Sequence, residues 1–187
     1  MKLSRLPVVL LALLGITACS VMPSKDFPRE DQVDIDRYMG PWYVIAHIPP
    51  SVTADSYNSI ERYTRDAKDP NQINVDFTYR VGDFNGEKKL KEPTGFVVPD
   101  TQGAIWAMQF FWPLKMQYVI SYVSPDYDTT IVAREKRDYV WIMARAPKID
   151  ETDYQQLVKR VDDLGYDTAK LRRVPQQPLD ERDDLDQ

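Results

Sequence analysis

Histidine and cysteine each occur once in the 187 residues, as His47 and Cys19. A single cysteine excludes an internal disulfide, so packing and hydrogen bonding must hold the fold. Clustered His and Cys ligands of the kind that bind zinc are missing, and no metal or cofactor is expected. No serine stands in a G-x-S-x-G elbow, and nothing pairs a nucleophile with an organised base. Catalytic residues are therefore none, and the chain reads as a binding protein rather than an enzyme. Acidic residues outnumber basic ones, 29 to 24, and the net charge of −5 disfavours nonspecific binding to nucleic acid. The one strongly apolar run, Pro7 to Ala18, is too short to span a bilayer.

What that run does have is a positive start, Lys2 and Arg5, and small residues at its end, which mark a secretory signal. Leu14-Gly15-Ile16-Thr17-Ala18-Cys19 resembles the lipobox of bacterial lipoproteins. The resemblance implies cleavage after Ala18 and acylation of Cys19, which becomes the first mature residue. Ser20 and Val21 follow without an aspartate, and by the same analogy this permits sorting to the outer membrane, with the chain lipid-anchored on the periplasmic face. Loss of Lys2 and Arg5 with the signal takes the formal charge to about −7. The expected division is 1–18 signal, 19–32 lipidated terminus and tether, 33–175 folded domain, and 176–187 acidic flexible tail.

Through the middle of the chain the hydrophobic period is two. Ile73, Val75, Phe77 and Tyr79 alternate with Asn74, Asp76, Thr78 and Arg80, the signature of a strand with one wet face. Comparable segments run from 42 to 48, 57 to 65, 90 to 98, 103 to 110, 117 to 123, 129 to 134 and 139 to 145, giving eight strands. From Asp150 the period changes, and Tyr154, Leu157, Val158, Val161 and Leu164 line one face of a helix that Gly165 ends. Asp150 is placed to cap it. A short strand over 171–174 follows the helix.

Gly40-Pro41-Trp42-Tyr43 opens the first strand, Trp141 to Pro147 contains the last, and Ser124-Pro125-Asp126-Tyr127-Asp128 lies at the turn before the seventh. Together, in this order, these segments resemble the lipocalin family, and the whole chain resembles its bacterial outer-membrane lipoproteins. The resemblance implies an all-β, eight-stranded antiparallel up-and-down barrel of the calycin type, with the C-terminal α-helix packed outside. It implies a barrel-closing motif of Gly40, Trp42 and Arg145, the arginine lying over the indole. The bound partner would be a fatty acid such as palmitate or a lysophospholipid, held or carried in envelope maintenance; the other partners would be the membrane, through Cys19, and a second copy of the chain in a homodimer. A barrel filled by its own side chains, serving as an envelope scaffold or protein-interaction module, is the alternative.

Strand parity then nominates Val44, Ala46, Trp106, Met108, Tyr118, Ile120, Tyr122 and Trp141 as ligand-binding residues. His47 falls on the opposite parity from Trp42 and is expected outside or at the rim. Phe110, Phe111 and Trp112 form an aromatic cluster at the open end, a gate, a bilayer contact or a subunit contact. Because successive strand residues alternate, the three cannot all enter one lumen. Lys115 beside them is either a mouth residue meeting a phosphate or carboxylate, or a free surface lysine.

Overall fold

The computed structural model describes residues 21–182. Signal and Cys19 lie outside the described residues. A single helical turn, α1 (Ile35–Tyr38), is capped by Asp34, whose Oδ1 accepts the backbone N–H groups of Asp36 and Arg37 at 3.0 and 3.2 Å. It leads into β1 (Gly40–Ile48), β2 (Ser56–Arg65) and β3 (Gln72–Val81). β4 (Lys88–Lys91) and β5 (Thr94–Val97) both pair with β3 and occupy one barrel position, split near Pro93, which has no N–H to donate. β6 (Ile105–Phe111), β7 (Leu114–Val123), β8 (Thr129–Ala133) and β9 (Val140–Ala144) follow in order.

Each barrel position pairs antiparallel with the next, β4 with β3 alone, and β9 pairs back onto β1, so eight barrel positions close on themselves. Closure leaves no free edge along the path. The short β10 (Arg172–Arg173) adds to β1 where β2 diverges from it, setting Ala46 opposite Arg173 and His47 opposite Arg172.

Alternation along the strands divides the apolar residues into two cores. Inside are Trp42, Val44, Tyr63, Ile73, Trp106 and Ile120. Outside, α2 (Glu151–Asp163) lays Tyr154, Leu157 and Val161 against Ile45, Ile131 and Ile142. Gly165, at φ +85°, ends α2: its N–H reaches the Asp162 carbonyl and the Tyr166 N–H that of Val161, the paired bonds of a glycine-stopped helix. Asp150 holds the N-cap position, but its side chain makes no capping bond.

Among the described residues four bulges interrupt the ladders, and three of them decide which way candidate lumen side chains face. One between Val44 and Ala46 turns Ala46 outward into the core beneath α2, so Ala46 does not line the lumen as parity predicted. The same slip carries His47 inward, opposite the lumen residue Trp141, where it is 1% exposed rather than at the rim. A second, between Ile120 and Tyr122, turns Tyr122 outward too, and the Arg160 guanidinium lies 4.0 Å from its ring centroid. The third, between Met108 and Phe111, falls at the aromatic cluster.

Both flanking segments are docked over their described parts. Val21 and Phe27 are buried, and the Val21 carbonyl accepts from Gln117 Nε2 at 3.2 Å, so residues 21–32 lie on the barrel. Gln176 Nε2 donates to the Val44 carbonyl at 2.8 Å and Arg182 Nη2 to that of Asn58 at 2.9 Å, filling the gap between β1 and β2. Up to Arg182, the expected flexible tail is thus part of the fold. Backbone groups left open where β1 and β2 part need partners, and this segment supplies them.

Candidate functional site

One end of the barrel is shut. Gly40 adopts φ +94°, a region costly for any residue with a Cβ, and turns the chain from α1 across the opening into β1. Trp42 is fully buried and donates its ring N–H to the Tyr38 carbonyl at 2.8 Å. The Arg145 guanidinium lies 3.8 Å from the Trp42 ring centroid and donates to the carbonyls of Pro41 at 2.8 Å and Arg37 at 2.7 Å. It ties together α1, β1 and the exit of β9.

Above this floor the lower lumen is filled. Trp106 stacks on Tyr118, with centroids 5.1 Å apart, and takes the edges of Tyr38 and Tyr63 at 5.5 Å each. The three phenols are linked: Tyr63 to Tyr118 at 2.7 Å and Tyr118 to Tyr38 at 3.3 Å. Tyr38 continues to Thr130 at 3.3 Å. Burial pushes all three phenols above their ordinary titration range, so they serve as protonated donors. Val44, Trp106 and Ile120 belong to this plug; Met108 and Tyr118 top it.

The upper lumen is open. A cavity of about 290 Å³ reaches the far end of the barrel between Phe77, Tyr79, Met116 and Trp141, with Phe110 and Phe111 at its edge. A smaller space of about 30 Å³ continues down past Met108 to Tyr118. The bulge lets Phe110 and Phe111 both face the cavity, while Trp112 is 85% exposed and faces away. Lys115 points out of the barrel, its ammonium 3.8 Å from the Phe96 ring centroid, and so is neither a mouth residue nor a free lysine. The cation at the mouth is Lys91.

Lys91, Met116, Arg134 and Glu61 are lining residues that escaped sequence reasoning. Glu61 borders both spaces, and its Oε2 accepts the Tyr63 hydroxyl. It is half-buried, but the surface it keeps faces the cavity, and desolvation raises its carboxyl to about 7 against the hydrogen bond from Tyr63. Parity with Tyr63 was the signal that could have found it, yet a carboxylate that shares its face with Ser59 and Arg65 reads as solvated.

A closed eight-stranded calyx, plugged at one end and open with an apolar wall at the other, defines the class of protein that encloses a small hydrophobic molecule. The family model for the lipocalin-like domain matches residues 33–176, and the chain belongs to that family. It is 28% identical over 156 residues to temperature-induced lipocalin-1 of Arabidopsis thaliana, covering 77% of this chain and 80% of the relative. To the outer membrane lipoprotein Blc of Citrobacter freundii it is 27% identical over 168 residues, covering 88% and 92%. Among solved structures, insecticyanin from the tobacco hornworm Manduca sexta superposes with a TM-score of 0.61 at 17% identity, covering 82% and 86%. Membership supports the binding of a lipid or other small hydrophobic molecule, as lipocalins are in general binders rather than enzymes. The Blc relatives point to the outer membrane.

Proposed function

We propose that this lipocalin is an outer-membrane lipoprotein, anchored through acylated Cys19 on the periplasmic face, that stores or carries a single-chain lipid in envelope maintenance. A fatty acid or lysophospholipid is the proposed cargo. The observation that carries the reading is the apolar cavity of about 290 Å³, open at one end only. A flexible acyl chain suits such a wall, since burial rewards area at about 0.8 kcal/mol per CH₂ without demanding fixed donors. Lys91 at the mouth suits an anionic head that stays near water.

The test is titration of the mature chain, with Cys19→Ser to remove acylation and a secretory signal that does not lipidate, against palmitate and a palmitoyl lysophospholipid. Saturation near one ligand per barrel is expected. Failure to bind either lipid removes the proposal.

A further inference from the structure

The open half of the lumen is not chemically uniform from mouth to floor. Lys91 borders it from β4 near the mouth. Arg134, just past β8 on the opposite wall, borders the smaller space and pairs with Asp138 at 3.3 Å in the β8–β9 turn, away from the closed end. Glu61 sits on top of the plug. Its neighbours across the sheet are Trp42 on β1 and Phe77 on β3, neither ionisable. From below it accepts the Tyr63 hydroxyl, which is joined in turn to the phenols of Tyr118 and Tyr38. Lys91 therefore lies up the wall, while Arg134 borders the same smaller space as Glu61 with its guanidinium paired to Asp138.

The phenol chain fixes what the floor can offer. With Tyr63 donating to Glu61 Oε2, Tyr118 must donate to Tyr63, and Tyr38 is left to donate to Tyr118 or Thr130. Thr130 itself donates to the Tyr122 carbonyl at 2.8 Å. Every donor of the chain is committed within the plug. Among the described residues Glu61 Oε1 has no hydrogen-bond partner, so the ionised carboxyl presents a spare acceptor and the phenols beneath it no spare donor.

We propose that Glu61 is the recognition group of this lumen, and that the preferred cargo is an apolar chain whose buried end carries a hydrogen-bond donor, an ammonium or a hydroxyl. An ammonium there meets a carboxylate, a hydroxyl satisfies the open oxygen, and a carboxylate end is repelled and must remain at the mouth with Lys91. Burial keeps the Glu61 carboxyl near 7, so its charge, and with it the preference for an ammonium, grows through neutral pH. This inference rests on the reading of the lumen as a lipid site.

Dodecylamine, dodecanol and dodecanoate share one chain and differ only at the end, and their binding to the mature chain with Cys19→Ser separates the two donor types from the acid. Between about pH 5.5 and 8.5 the ratio of amine to acid affinity should rise at least tenfold in the wild type, with a midpoint near 7. Glu61→Gln should flatten that profile, weaken the amine and spare the alcohol, which the amide oxygen still accepts. Tyr63→Phe, which removes the hydroxyl bonded to the carboxyl, should move the midpoint to higher pH, an effect that a packing role would not produce. A ratio that is the same in the wild type and in a folded Glu61→Gln overturns the inference while leaving the lipid site standing. Binding of none of the three overturns both.

Discussion

Trp42 and Arg145 form the contact on which the closed end depends, and each is bound to backbone as well as to the other. A guanidinium over an indole contributes about 0.5–2 kcal/mol, but the larger quantity is the buried ring itself. Trp42→Ala should cost about 3–5 kcal/mol and lower the melting temperature by on the order of 10 °C without changing ligand preference. An unaltered melting curve would show that the plug does not need the indole. Glu61 and His47 give opposite pH slopes. Between its ordinary 4.5 and about 7, folded Glu61 holds a proton that the unfolded chain has released, so its contribution to stability falls as pH rises. His47 is lowered from 6.5 to about 3 by desolvation and then by the Arg172 charge, and its Nε2 has no partner among the described residues. The unfolded chain therefore protonates this histidine first, and stability is lost as pH falls through that interval. Denaturant titrations at several pH values should show Glu61→Gln gaining about 1–3 kcal/mol on the wild type between pH 4 and 8. His47→Leu should remove the acid slope instead.

At the scale of elements, the β6–β7 hairpin and α2 are opposites. The hairpin leaves Phe110, Phe111, Trp112 and Leu114 between 45% and 85% exposed around the open end. Replacing Phe111 and Trp112 with Ser should weaken ligand uptake or self-association, measured by lipid titration and light scattering, while melting stays close to that of the wild type. Native uptake and oligomeric state in the folded double variant would confine ligand contacts to the strands. On α2 the apolar stripe is already covered. Leu157, 4% exposed against the barrel exterior, should cost about 2–5 kcal/mol when cut to Ala, with lipid binding by the folded fraction unchanged because the helix touches no part of the cavity.

For the whole molecule, anchoring and folding are separable expectations. Cys19→Ser should leave the precursor uncleaved by the lipoprotein pathway and unacylated, seen by mass spectrometry and membrane fractionation, with the far-ultraviolet dichroism of the barrel unchanged. The amino-acid sequence by itself determined the strand segments and the outer helix, because alternation and a change of period are local signals, whereas the roles expected of Gly40, Trp42 and Arg145 came from the resemblance to lipocalins. The same local rule failed for Ala46, Tyr122 and His47. Each lies beyond a bulge, and one extra residue reverses every side chain after it, while the bulge itself is set by how the neighbouring strand must curve to close the barrel. Tertiary structure alone decided that Trp106, Tyr38, Tyr63 and Tyr118 fill the lower lumen and leave the upper part open, since that depends on summed side-chain volume across strands distant in sequence. It also decided that the chain up to Arg182 docks, because polar residues there meet backbone groups exposed only once β1 and β2 separate. Glu61 belongs to the same class: a carboxylate looks solvated in one strand, and only closure of the other seven encloses it.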